Sequence, residues 1–203
     1  DLLALSEAEL GAIRGRDIAM IFQDPMTCLN PFMKIGDQLI EPLTLHKGLA
    51  KGPAREQAMA LLDEVGIRDP QSAMSAFPHE FSGGMRQRVM IAMALINEPK
   101  LLIADEPTTA LDATVQAQIL DILREMREHL GLSILFISHD LSVVSELADR
   151  VAIIYAGNLM EILPATSLAD AAFHPYTTGL LATLPIIERG GRRLPILEGM
   201  LTD

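Results

Sequence analysis

Three apolar runs of strand length alternate with two helical patterns in the second half of this chain, and this order constrains its fold more than any other feature. The runs occupy residues 101–104, 134–137 and 151–155. An amphipathic helical pattern at residues 111–130 and a shorter one at residues 142–148 lie between them. Strands that are apolar on both faces and alternate with helices are typical of a parallel sheet covered by helices. We therefore expect an α/β fold in which the three runs belong to one parallel sheet.

The first half of the chain predicts a further strand and then a group of short helices. Residues 18–22 (IAMIF) form an apolar run that ends at a polar turn, which begins with Gln23 and includes Pro25, as a buried strand entering a loop does. Apolar residues then recur at helical spacing in residues 37–46 and 54–65, with glycine and proline breaks around them. This pattern predicts a small helical subdomain.

A buried helix and a hairpin are predicted further along. The helix begins at Ser82 and contains an almost wholly apolar stretch at residues 89–96, which indicates burial on most sides. Residues 157–158 (Gly-Asn) favour a tight turn that leads into a second hairpin strand at residues 159–162. The remaining tail predicts short helices and a basic turn at residues 189–193, which is too short to indicate nucleic-acid binding.

Composition excludes several classes of protein. A net charge of −11 argues against nucleic acid as the main partner, because phosphate backbones are bound by clustered lysine and arginine. The single cysteine, Cys28, rules out a disulfide framework within the chain and is expected to be a small loop residue rather than a reactive thiol. No apolar run approaches the roughly 18 consecutive residues of a membrane-spanning helix.

Two adjacent carboxylates, Asp105 and Glu106, follow the first of the three apolar runs. Ligands of parallel sheets bind at the carboxyl ends of the strands, where these side chains would lie. The first carboxylate suits a hard cation such as Mg²⁺, and the second can align or deprotonate a water that attacks a γ-phosphate. The alternative is that both acids, with the proline that follows, merely cap the next helix.

A second candidate site is Ser82-Gly83-Gly84, where the buried helix begins. Two glycines leave backbone N–H groups open to close approach, and a helix N-terminus favours an anion. The hydroxyl of Ser82 would add a donor for a phosphate. The alternative is an ordinary serine cap followed by a flexible glycine hinge.

Three further polar residues follow predicted strands or precede a helix. His139 follows residues 134–137, and at the sheet edge an imidazole can hydrogen-bond a γ-phosphate and sense its loss. Gln23 follows the first strand, and its amide can ligate Mg²⁺ or the attacking water. A structural histidine and a turn-forming glutamine are the alternatives. Asp112 is expected to be at least the N-cap of the helix that follows it.

Taken together, these segments resemble the nucleotide-binding subunit of ABC transporters. The family's motifs are matched in order: the Q-loop glutamine by Gln23, the signature motif by Ser82, Gly83, Gly84 and Met85, the Walker B strand with its catalytic glutamate by residues 101–106, the D-loop by residues 110–112 and the switch histidine by His139. Met85 stands where most of the superfamily has glutamine. The variant FSGGMRQR is similar to the bacterial branch that imports oligopeptides, dipeptides and related solutes.

Residues 18–31 (IAMIFQDPMTCLNP) and 174–181 (HPYTTGLL) resemble the same branch. Cys28 departs from it, since serine is usual there, and we expect this change to be silent. Family members carry a β-rich lobe and a phosphate loop (GxxxxGK[ST], Walker A) upstream of the matched motifs, and residues 194–199 look like the lead-in to a cysteine-containing tail. No Gly-Lys dipeptide occurs in this chain, so we expect a truncated subunit that is inactive alone, rather than a degenerate enzyme.

The resemblance implies an α/β fold like that of P-loop NTPases, a parallel sheet flanked by helices with a small α-helical subdomain inserted. We expect four parts: a remnant of the ATP-binding core at residues 1–25, the helical subdomain with the signature helix at 26–97, the rest of a RecA-like core at 98–163 and a C-terminal extension at 164–203.

The resemblance also implies cofactors, partners and a location. Two subunits would pair head to tail, so that ATP and Mg²⁺ held by one are covered by the signature motif of the other. Glu106 would activate water, Asp105 and Gln23 would organise Mg²⁺ and the nucleophile, and His139 would hold the γ-phosphate. Membrane-spanning permease subunits would contact the helical subdomain, and a solute-binding protein would take part indirectly. This assembly lies at the cytoplasmic face of the bacterial inner membrane.

Peptide import is the leading hypothesis, and import of nickel, glutathione or another small solute is the alternative, because other chains select the solute. A soluble ABC ATPase acting on DNA or ribosomes would carry a long coiled coil or two such domains. The 58 residues between Gln23 and Ser82 instead show short helices without heptads. The presence of both Glu106 and His139 speaks against a non-catalytic regulatory subunit.

Overall fold

The computed structural model describes residues 1–24, 28–109 and 111–188. The predictions for Pro25, Ala110, the basic turn at residues 189–193 and residues 194–199 lie outside this part of the chain. The chain divides into two compact units, residues 1–137 and 138–203, and each is described by itself. The division into four parts stays a prediction.

A three-stranded parallel sheet forms the base of the first unit. Its strands, in spatial order, are β1 (Ile18–Ile21), β2 (Leu101–Asp105) and β3 (Ser133–Ile137). Alternate residues of β1 and β2, including Ile21 and Leu102, are buried, as expected for a sheet face covered by helices. The strands at residues 18–22, 101–104 and 134–137 are therefore confirmed. Their other face is less covered, since Leu135 of β3 is 53% exposed.

The described part of the first unit also contains the short 3₁₀ helices Leu2–Ala4 and Pro78–Glu80 and the α-helices α1 (Glu7–Ile13), α2 (Ile35–Lys47), α3 (Lys51–Glu64), α4 (Pro70–Ala73), α5 (Gly83–Leu95) and α6 (Ala113–Leu130). Helices α2, α3 and α5 pack on one another, and α5 also packs on β1, which joins the helical group to the sheet. The predicted apolar stripe of α3 is confirmed, because Ala58 and Leu62 are fully buried. The predicted burial of α5 is confirmed as well, from Val89 to Leu95. No helix in the described residues is long and apolar enough to span a membrane.

The second unit contains α7 (Leu141–Leu147), β4 (Arg150–Tyr155), β5 (Asn158–Pro164), α8 (Leu168–Ala171) and α9 (Pro175–Glu188). Strands β4 and β5 form the predicted hairpin, although its turn is centred on Ala156 and Gly157, one residue earlier than expected. The prediction that residues 151–155 belong to the parallel sheet is wrong, because β4 pairs antiparallel with β5. The physical reason is local: both turn residues have positive φ, +47° and +74°, and such a two-residue turn pairs a strand with its immediate successor.

The segment HPYTTGLL anchors α9 to this hairpin. The Glu161 carboxylate on β5 accepts hydrogen bonds from the backbone N–H groups of Phe173 and His174, at 2.8 and 2.9 Å. The Thr177 hydroxyl faces this carboxylate beyond ordinary hydrogen-bond geometry, and together with the two N–H groups it holds the pKa of Glu161 below its usual value. The rings of Tyr155 and Tyr176 pack with centroids 4.5 Å apart.

Candidate nucleotide site

Glu106 stands in a constrained backbone position immediately after β2. Its φ is +45°, in the left-handed region that residues with a side chain rarely adopt. Its backbone N–H donates to the carbonyl oxygen of Ile137, 2.9 Å away, at the end of the neighbouring strand. Backbone strain of this kind persists only where the surroundings fix it, and it is concentrated at functional sites.

Two donors hold the carboxylate of Glu106. The Thr109 hydroxyl donates to Oε2 at 2.7 Å, and Nε2 of Gln23 donates to the same oxygen at 3.2 Å. The structure therefore brings together two residues that the sequence singled out separately, one from the end of β1 and one from the end of β2. Thr109 was not among the predicted site residues. The sequence feature that could have identified Thr109 is its position three residues after Glu106, the spacing of a turn. In the structure, the Thr109 N–H donates to the Glu106 carbonyl across this turn.

Asp105 is the last residue of β2 and pairs in register with Ile137. It is half-buried at the carboxyl edge of the sheet, next to the Gln23 and Glu106 pair. No group of three or more histidine, cysteine or acidic residues in the described part of the chain forms a metal cage. Mg²⁺ is usually bound through one or two protein ligands together with phosphates and water. One carboxylate and one amide oxygen at this edge fit such a cation.

Ser82, Gly83 and Gly84 form the start of α5, as predicted. The Ser82 hydroxyl caps the helix by accepting a hydrogen bond from the backbone N–H of Met85, 3.4 Å away, and Met85 itself is 38% exposed. The two glycines differ in their surroundings. A Cβ added to Gly83 would meet nothing within 4 Å, whereas one added to Gly84 would lie 3.0 Å from Cγ1 of Val115 on α6.

Gly84 therefore has a packing role inside this chain, and Gly83 has none that the structure displays. An open Gly83 leaves the surface at the start of the helix accessible to a ligand, which agrees with the anion-binding interpretation. The Ser82 hydroxyl also caps α5, so the structural alternative is confirmed as well. The two interpretations are compatible, because a capping hydroxyl lies at the helix N-terminus, where an anion would bind.

Asp112 is the N-cap of α6, as expected. Its Oδ1 accepts hydrogen bonds from the N–H groups of Thr114 and Val115, at 3.1 and 3.0 Å. His139 lies between β3 and α7, in the second unit, so its relation to Asp105 and Glu106 stays a prediction.

A parallel sheet with an acid at its carboxyl edge and a glycine-rich helix start is an arrangement that suits nucleotide binding. The chain matches the model of the ABC transporter family over residues 5–109 and belongs to that family.

Two curated relatives of this chain are named as ATP-binding proteins of peptide transport. The dipeptide transport ATP-binding protein DppD of Bacillus subtilis (strain 168) is 51% identical over 203 residues, which are 100% of this chain and 61% of that protein. The oligopeptide transport ATP-binding protein OppD of the same organism is 54% identical over 195 residues, 94% of this chain and 53% of that protein. The chain thus spans about three fifths of the length of the curated relatives that it matches.

Among solved structures, the ATP-binding cassette MJ0796, in a dimeric post-hydrolysis state bound to ADP and Pi, superposes with a TM-score of 0.70. It is 27% identical, and the match covers 80% of this chain and 68% of that one. The predicted α/β fold with a parallel sheet and flanking helices is therefore confirmed.

Proposed function

We propose that this chain is part of the ATP-hydrolysing subunit of a bacterial ABC importer, and that the imported solutes are peptides. The observation that carries the proposal is the strained Glu106 at the sheet edge, whose carboxylate is held by Thr109 and Gln23. A fixed carboxylate at this edge can align and deprotonate a water for attack on a γ-phosphate. The names of DppD and OppD support peptides as the cargo.

Each predicted site residue has one task in this proposal. Glu106 accepts the proton of the attacking water, and Gln23 orients the Glu106 carboxylate through the hydrogen bond that it donates. Asp105 and the amide oxygen of Gln23 would hold Mg²⁺, which supplies positive charge at the phosphate oxygens. His139 holds the γ-phosphate. Ser82, Gly83, Gly84 and Met85 cover the ATP bound by a second subunit, and Asp112 fixes the start of α6 beside them.

The second subunit pairs head to tail with this one, and the dimeric state of MJ0796 supports the formation of a dimer. Permease subunits provide the membrane-spanning part, and a solute-binding protein delivers the cargo to them. The ATP-binding subunits therefore lie at the cytoplasmic face of the inner membrane.

An exposed aromatic residue supports the contact with the permease. Phe32 is 90% exposed, in the loop that precedes α2. The buried Gln38 holds this loop with three hydrogen bonds, accepting from the N–H of Asn30 at 2.9 Å and donating to the carbonyls of Asn30 and Met33 at 3.0 Å each. An aromatic ring presented on a fixed loop loses little conformational freedom when a partner covers it.

The test of the proposed reaction is Glu106→Gln in the chain supplied with a GxxxxGK[ST] phosphate loop. This variant is expected to bind ATP, to form a stable closed dimer and to show negligible turnover, because the amide cannot accept the proton. Size-exclusion chromatography with ATP and a phosphate-release assay measure these properties. Normal turnover by Glu106→Gln overturns the role of Glu106, and robust turnover by the 203-residue chain alone overturns the need for a supplied loop.

A further inference from the structure

Gln87, in the second turn of α5, reaches out of its own helix to the segment beside Glu106. The residue is 2% exposed, and its Nε2 donates a hydrogen bond to the carbonyl oxygen of Pro107. Breaking this hydrogen bond would leave a buried polar group without a partner, which is unfavourable. The contact therefore fixes the positions of the Gln87 amide and of the Pro107 carbonyl. Pro107 directly follows Glu106 in the chain.

Two further contacts connect the same helix to the chain beyond Pro107. Gly84 packs so closely on α6 that an added Cβ would lie 3.0 Å from Cγ1 of Val115. One helical turn later, Nη2 of Arg88 donates to Oε1 of Gln118 at 2.8 Å. The first two turns of α5 are thus attached to the residues after Glu106 at three successive points.

We propose that Gln87 is a positioning residue for hydrolysis, acting on Glu106 through the Pro107 carbonyl. The backbone around Glu106 is then held on both sides: the N–H of Glu106 by the carbonyl of Ile137, and the carbonyl of the following residue, Pro107, by Gln87. Both anchors help to maintain a non-glycine residue at φ +45°. The inference rests on the proposed function, because a positioning role presupposes that Glu106 is the general base.

The consequence is a link between the two ATP sites of a dimer. The helix that begins with Ser82 and Gly83, at the ATP of the partner, also carries the amide that holds the Glu106 loop of its own site. Displacement of α5 on binding of the partner's ATP therefore moves the loop that carries Glu106 in the same subunit.

The mechanical part of the proposal is tested on the 203-residue chain itself by amide hydrogen exchange. Gln87→Met keeps the length of the side chain and removes the donor. The matched control is Gln57→Met, since Gln57 also donates to a backbone carbonyl, that of Ile96, away from Glu106. We expect the Glu106 amide to exchange at least about tenfold faster in Gln87→Met and at the unchanged rate in Gln57→Met.

Unchanged protection of the Glu106 amide in Gln87→Met contradicts the proposal. Interior amides of β2 and β3, in the same unit as Gln87, report whether that unit of the variant is folded. If Gln87→Met does not fold, the same measurement is made on Gln87→Leu, which also lacks a donor and has a side chain of similar volume.

The catalytic part is tested with a GxxxxGK[ST] loop supplied. Gln87→Met is expected to lower kcat about tenfold and to change KM for ATP by less than about twofold, since it displaces the base without touching bound nucleotide. An unchanged kcat, in a preparation whose wild-type form hydrolyses ATP, overturns the inference and leaves the proposed function intact. Absence of hydrolysis by the wild-type form overturns the proposed function, and the exchange experiment then decides alone whether Gln87 positions the loop.

Discussion

The carboxylate of Glu106 shows how single residues define the site. Its backbone is strained, and its Oε2 receives hydrogen bonds from Thr109 and Gln23. Both donors come from residues that follow strands of the parallel sheet, so the sheet edge determines where the carboxylate lies. In the proposed function, a base held in this way needs no reorganisation when it accepts the proton of the attacking water.

Thr109→Val is predicted to reduce turnover because it removes the shorter of the two hydrogen bonds to Glu106 while keeping the side-chain shape. We expect kcat to fall about tenfold and the free energy of unfolding to fall by about 1 kcal/mol. Phosphate release by the chain with a supplied phosphate loop measures the first effect, and urea denaturation measures the second. Thr44→Val is the control, since the Thr44 hydroxyl bonds only within α2, to the Glu41 carbonyl. Equal rates for Thr109→Val and wild type would contradict a role of Thr109 in orienting the base.

The two glycines of the signature motif are predicted to respond differently to alanine. Gly84→Ala places a methyl group 3.0 Å from Val115 and is expected to destabilise the chain by about 1–3 kcal/mol. Gly83→Ala meets open space and is expected to leave the stability unchanged or to raise it by up to about 1 kcal/mol. Urea denaturation compares the two variants. Equal losses of stability would contradict the distinction between a packing glycine and an accessible one.

At the scale of elements, the hairpin of β4 and β5 and the start of α9 form a joint that depends on one carboxylate. Glu161 accepts from the N–H groups of Phe173 and His174, and its pKa is lowered in the folded chain. A lowered pKa contributes stability above the usual value near 4.5, and this contribution is lost as the pH falls through the folded value.

Glu161→Gln is therefore predicted to be less stable than wild type at pH 7, with a difference that shrinks as the pH is lowered below about 4.5. The two tyrosines of the chain, Tyr155 and Tyr176, both lie in this unit, and there is no tryptophan. Urea unfolding followed by tyrosine fluorescence thus reports on this joint alone. A difference between the two proteins that stays constant with pH would contradict the role of the ionised carboxylate.

Sequence alone predicted the elements whose signal is local and missed those that depend on tertiary neighbours. The apolar spacing of α3 was readable because this helix buries a defined stripe, and the start of α5 was readable because Ser82 is a preferred N-cap before a long apolar run. The run at residues 151–155 looked like the other strands, because apolar composition does not say which strand is the partner, and the positive-φ turn at Ala156 decided it.

In the candidate site, too, the residues with a local sequence signal were predicted and those that depend on tertiary neighbours were missed. Asp105, Glu106 and Gln23 were recognised because they follow strands at the carboxyl edge of the sheet, where ligands of parallel sheets bind. Thr109 and Gln87 were missed, since an ordinary threonine and an ordinary glutamine acquire their roles only from the backbone that the fold places beside them.

On the scale of the whole molecule, the proposed function assigns this chain to two different ATP sites. In that proposal, Glu106, Asp105 and Gln23 serve the nucleotide of their own subunit, whereas Ser82 and Gly83 serve the nucleotide of the partner. The accessible Gly83 and the buried attachment of α5 to the Glu106 loop agree with this division of tasks.

The most direct test mixes two inactive subunits, Gly83→Asp and Glu106→Gln, each supplied with a GxxxxGK[ST] loop. Gly83→Asp has open space for its side chain and repels phosphate by its charge, and Glu106→Gln lacks the base. If the signature motif acts on the partner's ATP, each mixed dimer contains one intact site, and random mixing restores about a quarter of the wild-type phosphate-release rate. If the mixture stays as inactive as each variant alone, the signature motif and Glu106 of one subunit act on the same ATP, and the account is wrong.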